Sequence, residues 1–95
     1  MSADSPVFDE LATLRSLIAR AQEAVGAGTF ATLAPALDEL ASHRWRDEEH
    51  RIVYHSLRAV LRNAAIPLRH QMAAEATRMG HPDVDWALYF QPLSP

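Results

Sequence analysis

The chain has 95 residues, 48% of them hydrophobic and 22% charged, a balance that suits one small folded domain and excludes disorder along the whole length. A formal net charge of −3 excludes an overall basic field for holding nucleic acid or an acidic membrane. The absence of cysteine excludes disulfides, thiol catalysis and cysteine-ligated zinc. Met1 to Glu10 carries three acids and no base, unlike a secretory signal. The longest uncharged run, Ala24 to Leu37, is 14 residues and is broken by Gly26, Gly28 and Pro35, too short to span a bilayer. A cytoplasmic protein with no membrane partner is expected.

Helical periodicity runs through the sequence. The first helix is predicted from about Pro6 to Val25, with Ser5 as N-cap, Pro6 at the first helical position and Asp9 and Glu10 at the positive end of the dipole. Val7, Leu11, Leu14, Ile18, Ala21 and Val25 form an apolar seam at alternating spacings of 4 and 3, widened by Leu17; Gly26 and Gly28 end it. A second helix lies between Phe30 and His43 with Phe30, Leu33, Leu37 and Leu40 as its stripe. Pro35 places the regular part from about Ala34.

The third helix is expected from Asp47 to Ala64, acids in its first turn and Arg58 and Arg62 in its last. Val53, Leu57, Val60 and Ala64 set its face, with Ile52 and Leu61 flanking. Pro67 opens a fourth helix that buries Leu68, Met72, Ala76 and Met79 and closes at Gly80. A short last helix is read from Asp83 to Phe90, where Trp86, Tyr89 and Phe90 cap the bundle. No period-2 alternation predicts a strand. The expected fold is all-α: residues 1–95 as a single helical domain of four main helices plus a short C-terminal one, with about 1–5 and 91–95 frayed.

All nine basic residues are arginine, which with abundant alanine reads first as codon bias. Residues 1–43 carry a net −4, residues 44–78 a net +3 and residues 79–95 a net −2, so the middle is basic within an acidic whole. Chemistry-bearing motifs are few. Asp47 and His50 stand one helical turn apart and His43 one turn earlier, but a di-iron bundle needs a Glu-x-x-His pair on each of two helices and two further glutamates. These residues read instead as a solvated helix start, and no metal or cofactor is expected. No serine sits in a nucleophile elbow, and there is neither a phosphate-binding loop nor a dinucleotide fingerprint. Acid–base work by a His–Glu pair would need a substrate pocket for which so small a bundle has little room. The chain is therefore read as non-enzymatic, with no catalytic residues.

One stretch carries a resemblance. Trp45, His50-Arg51, Val53-Tyr54, Leu57, Val60, Ile66, the helix from Pro67 through Met79, and Gly80 follow one another in an order that resembles the N-terminal helical domain of bacterial replicative DNA helicases. Residues 45–80 carry the motif, and the seam of Leu11, Leu14, Leu17 and Ile18 matches that family's first helix in position. The sequence departs where Pro67-Leu68 replace the family's acid after the isoleucine, and where His81-Pro82-Asp83-Val84-Asp85-Trp86 replace its alanine- and leucine-rich segment. The resemblance implies a compact helical fold, association through helical hairpins and protein partners. It implies neither nucleotide hydrolysis nor unwinding, because these residues hold no ATPase domain.

The first and third helices carry more apolar surface than a bundle of this size is expected to bury, which predicts a contact patch and a protein partner or self-association, most simply a homodimer. Leu17, Ile52 and Leu61 are the candidate interaction residues. The alternative is a nucleic-acid-binding face on residues 51–78 using Arg58, Arg62, Arg69 and Arg78. An internal helix–turn–helix pairing of the third and fourth helices would suit it, but Met72-Ala73-Ala74 leaves few side chains to read bases.

Overall fold

A computed structural model describes residues 9–91, and the fold is all-α, with no strand among the described residues. The elements are α1 (Glu10–Ala27), a single 3-10 turn (Phe30–Thr32), α2 (Ala34–Leu40), α3 (Glu48–Arg62), α4 (Leu68–Arg78) and α5 (Trp86–Phe90). The expectations placed on Ser5, Pro6, Val7 and the extreme tail lie outside the described residues.

Four helix starts differ from the expected ones, three of them for the same reason. Asp9 has extended backbone and its Oδ1 accepts the N–H of Ala12 at 3.0 Å, so α1 begins at Glu10. Asp47 accepts the N–H groups of Glu49 and His50, and Asp85 accepts that of Ala87, so each is a cap and not a helical residue. An aspartate next to an unsatisfied helix start takes the orphan N–H groups in preference to entering the helix itself. Pro67 stands just outside α4 with ψ 136°, which leaves Leu68 as the first helical residue. Gly28 stops α1 in the left-handed region (φ 71°), where Thr29 N–H reaches back to Ala24 O at 3.0 Å.

α3 is the central helix. It packs most extensively on α4 and next on α1, while α1 carries α5. Its residues Ile52, Val53, Tyr54, Leu57 and Val60 are all at most 1% exposed, and they meet Leu14, Ile18 and Ala21 of α1 and Met72 and Ala76 of α4 in one core cluster. Leu33 and Leu37 close it from the α2 side, and Tyr89 and Val84 from α5 and its approach. The Tyr54 hydroxyl, wholly buried, donates to the carbonyl of Leu37 and so ties α3 to α2.

The predicted surplus of apolar surface is therefore consumed inside the molecule. Leu17 is 3% exposed and Ile52 1%, so neither is available as a contact residue. A helix flanked on two sides buries more than half its circumference, and the width that reads in sequence as a sticky face is the mark of α3's central position. Ile66 is the one large hydrophobe classed as exposed among the described residues.

Ser56 is also fully buried on α3, and its hydroxyl has no hydrogen-bond partner among the described residues. Its desolvation is uncompensated. Ser56→Ala is expected to leave the fold intact and to raise stability by up to about 1 kcal/mol, seen as a higher urea midpoint at unchanged slope. A loss of stability on this change would mean that the hydroxyl is bonded in solution.

Candidate functional site

Two constellations bear on function: a buried carboxylate that organises one end of the bundle, and a surface where apolar and basic side chains meet. The first is built on Glu10, the first residue of α1, which is only 7% exposed. His43 Nε2 and the backbone N–H of Arg46 lie 3.0 and 2.9 Å from its Oε1, and His50 Nδ1 lies 3.2 Å from its Oε2. The backbone N–H of Asp47 is a fourth donor. An ionised carboxylate has about four lone-pair positions, so this one is saturated. Because it can only accept, it fixes the proton of His43 on Nε2 and that of His50 on Nδ1. Burial alone would push the Glu10 carboxyl up, but the Arg46 N–H, the two imidazoles and the Asp47 N–H outweigh it and hold the carboxyl at about 2.

The neighbours extend this into a polar seam. The Tyr89 hydroxyl, buried under α5, donates to Glu49 Oε2 at 3.1 Å, and the Tyr89 ring stands edge-on to His50 with centroids 5.8 Å apart. Burial and then the Glu49 charge push the Tyr89 phenol up, so it stays a donor at any physiological pH. His43 meets Trp45 edge-on, and Trp45 lies against Tyr54. His43, Asp47 and His50 are thus drawn together as their spacing suggested, but around Glu10 and not around an ion. The expected solvated helix start holds for Asp47 and Glu48, which stay exposed, and is corrected for His43 and His50, which are half-buried against Glu10. Among the described residues no group of three or more His, Cys, Asp or Glu side chains is arranged to hold a metal ion. Held at about 2 and with every lone pair occupied, the Glu10 carboxylate anchors backbone and imidazoles. The sequence did carry a signal for it: Glu10 precedes Leu14, Leu17 and Ala21 at spacings of 4, 3 and 4, which sets its carboxylate on the buried stripe of α1.

The second constellation lies toward the C-terminal end of α3. A cleft of about 290 Å³ runs between the 3-10 turn, α2 and α3, with an apolar floor of Phe30, Ala31, Ala34, Leu37 and Leu61. Arg58, Arg62 and Asp38 frame it. Leu61 is the one expected interaction residue that reaches the surface. Across Arg58 and Arg62 lies a further cavity of about 300 Å³, lined also by Arg51, His55, Glu75, Arg78 and Met79. Arg51, His55, Arg58 and Arg62 follow at 4, 3 and 4 along α3 and so form one stripe. Burial, then Arg51 and Arg58, pulls the His55 imidazole below its ordinary value, which keeps this member of the stripe neutral.

Three of the four arginines expected on a nucleic-acid face, Arg58, Arg62 and Arg78, converge here. Arg69 does not: it is exposed on α4 nine positions before Arg78, two and a half turns away and on the other side of that helix. Carboxylates already temper the cluster. Arg51 chelates Glu48 and Arg78 chelates Glu75 within single helices, and Arg58 lies 3.7 Å from Asp38 while covering the Tyr54 ring. The Arg51 and Arg78 guanidiniums hold the Glu48 and Glu75 carboxyls below the ordinary range. Comparison with protein families, with curated proteins and with solved structures finds no match to the chain. No helix among the described residues is long and apolar enough to cross a membrane.

Proposed function

We propose that this protein is a non-catalytic helical module that binds a protein partner, and that its docking face is the cleft between α2 and α3. The observation that carries the reading is the cleft itself: apolar side chains from two elements, Phe30 and Leu61 among them, leave a concave surface large enough for one or two partner side chains. Of the residues expected to mediate contact, Leu61 alone lies on that surface. The resemblance of residues 45–80 to helicase N-terminal domains points toward the same kind of role.

Panning a displayed library of helical peptides against the immobilised chain tests this directly. Binders are expected to be enriched, to lose most of their affinity for Leu61→Glu, and to bind Arg69→Glu, altered on the far side of α4, as they bind the original chain. Ala31→Glu gives a second block from an exposed position that does not touch the core. Failure to enrich any sequence, or binders indifferent to both cleft variants, would remove the reading.

A further inference from the structure

We propose that the partner is an acidic amphipathic helix, whose apolar residues enter the α2–α3 cleft while its carboxylates pair with Arg58 and Arg62 and extend along the arginine stripe of α3. This rests on the reading of the cleft as the docking face and specifies what fills it.

Arg58 and Arg62 line both the apolar cleft and the basic cavity beside it, so the two form one continuous surface with a boundary of guanidiniums. A ligand that fills the cleft must bring its flank against that boundary. Arg51 and Arg78 are each chelated by a glutamate on their own helix, but the boundary pair is less committed to carboxylates: Arg58 lies over the Tyr54 ring and its ion pair with Asp38, which is itself largely exposed, is 3.7 Å long. Arg62 is exposed and meets no carboxylate at ion-pair distance among the described residues; it acts on Glu75 only at longer range. The planar fork of arginine suits bidentate capture of a carboxylate. The stripe from Arg51 to Arg62 rises over eleven residues, about 16 Å, which is three turns of a partner helix laid beside α3.

The same surface suits nucleic acid poorly. Phe30, Ala31, Ala34 and Leu61 make half of it apolar, which an amphipathic helix covers with its own apolar face and a phosphate backbone does not.

The test uses labelled synthetic peptides of about 16 residues with leucine along one helical face and glutamate beside it. One control replaces glutamate by lysine, another replaces leucine by serine, and a labelled DNA duplex is the third probe. By fluorescence anisotropy the glutamate–leucine peptide should bind at least tenfold more tightly than either control. Its affinity should weaken several-fold when salt rises from about 0.1 M to about 1 M, which shortens the Debye length from about 10 Å to about 3 Å. Arg62→Glu and Arg58→Glu should each cost roughly tenfold or more and Arg69→Glu nothing, with circular dichroism verifying that all three fold. Equal binding of the lysine peptide, with Leu61→Glu and Ala31→Glu still disruptive, would overturn the acidic partner and leave the docking face standing. Binding unaffected by either cleft variant would overturn both. Duplex DNA that binds in preference to the peptide, or light scattering showing a dimer that Ala31→Glu dissociates, would give the surface a different occupant and overturn the proposal. So would the absence of peptide binding.

Discussion

Leu57→Ala is expected to destabilise the protein by about 2–5 kcal/mol, the range for deleting a fully buried leucine side chain. Leu57 is completely buried at the middle of α3, the helix that contacts both α1 and α4, so the hole left by the substitution is bounded by elements that cannot all move inward together. A chain of this length commonly has about 5–14 kcal/mol in total. The loss would then lower Tm on the order of 10–30 °C and leave the variant partly unfolded at physiological temperature in the worst case. Leu14→Ala, equally buried on α1, belongs to the same class. Leu61→Ala, half-buried on the cleft side of α3, should cost far less, because its cavity opens to water. Urea denaturation of the three variants is the measurement. A neutral Leu57→Ala would mean that α3 is not central, and an equal loss from Leu61→Ala would mean that the cleft is closed in solution.

Leu14, Ile18 and Ala21 on α1, Val53, Leu57 and Val60 on α3, and Leu68, Met72 and Ala76 on α4 were all legible in the sequence, because helical spacing alone assigns a face. Pro35 and Gly28 were legible as well, since each restricts or frees the backbone locally: α2 does begin at Ala34, and Gly28 does end α1, whereas Gly26, read as a stop beside it, lies inside the helix, which runs on to Ala27. What periodicity does not report is which neighbour covers a face. Leu17 and Ile52 were read as surplus for that reason, although both lie buried in the one core cluster. Likewise, Arg58, Arg62, Arg69 and Arg78 were read as one face, although the nine residues from Arg69 to Arg78 are two and a half turns and set those two on opposite sides of α4. Glu10 was hardest to read. Its nearest signal, an acid in the first turn of a helix, is ordinarily explained by the dipole, and its partners lie 33 to 40 residues away. Only the register with Leu14 and Leu17 hinted that the charge is turned inward.

That inward charge yields the second large effect. The Glu10 carboxyl ordinarily titrates at 4.5 and is held at about 2 in the folded chain. The depressed value means that the ionised form is favoured by folding, so its contribution is fully present above about pH 5 and is lost as pH falls toward 2; a difference of this size corresponds to about 3 kcal/mol as an upper bound. Glu48 and Glu75 are lowered in the same direction and add to acid sensitivity, so the wild-type curve alone does not isolate Glu10. The difference from Glu10→Gln does. A glutamine oxygen can still accept the Arg46 N–H, but its amide N–H₂ then faces donors at the other side, and one histidine must switch tautomer to receive it. Glu10→Gln is therefore expected to cost about 2–3 kcal/mol at pH 7, and its deficit against wild type should shrink steadily between pH 5 and pH 2. Glu10→Ala strands two backbone N–H groups and two imidazoles at once and should cost more, about 3–5 kcal/mol. Urea unfolding at a series of pH values checks both variants. A deficit for Glu10→Gln that stays constant with pH would mean that the carboxyl titrates alike in the folded and unfolded chain, so that the clamp joining α1 to the start of α3 does not favour its charged form.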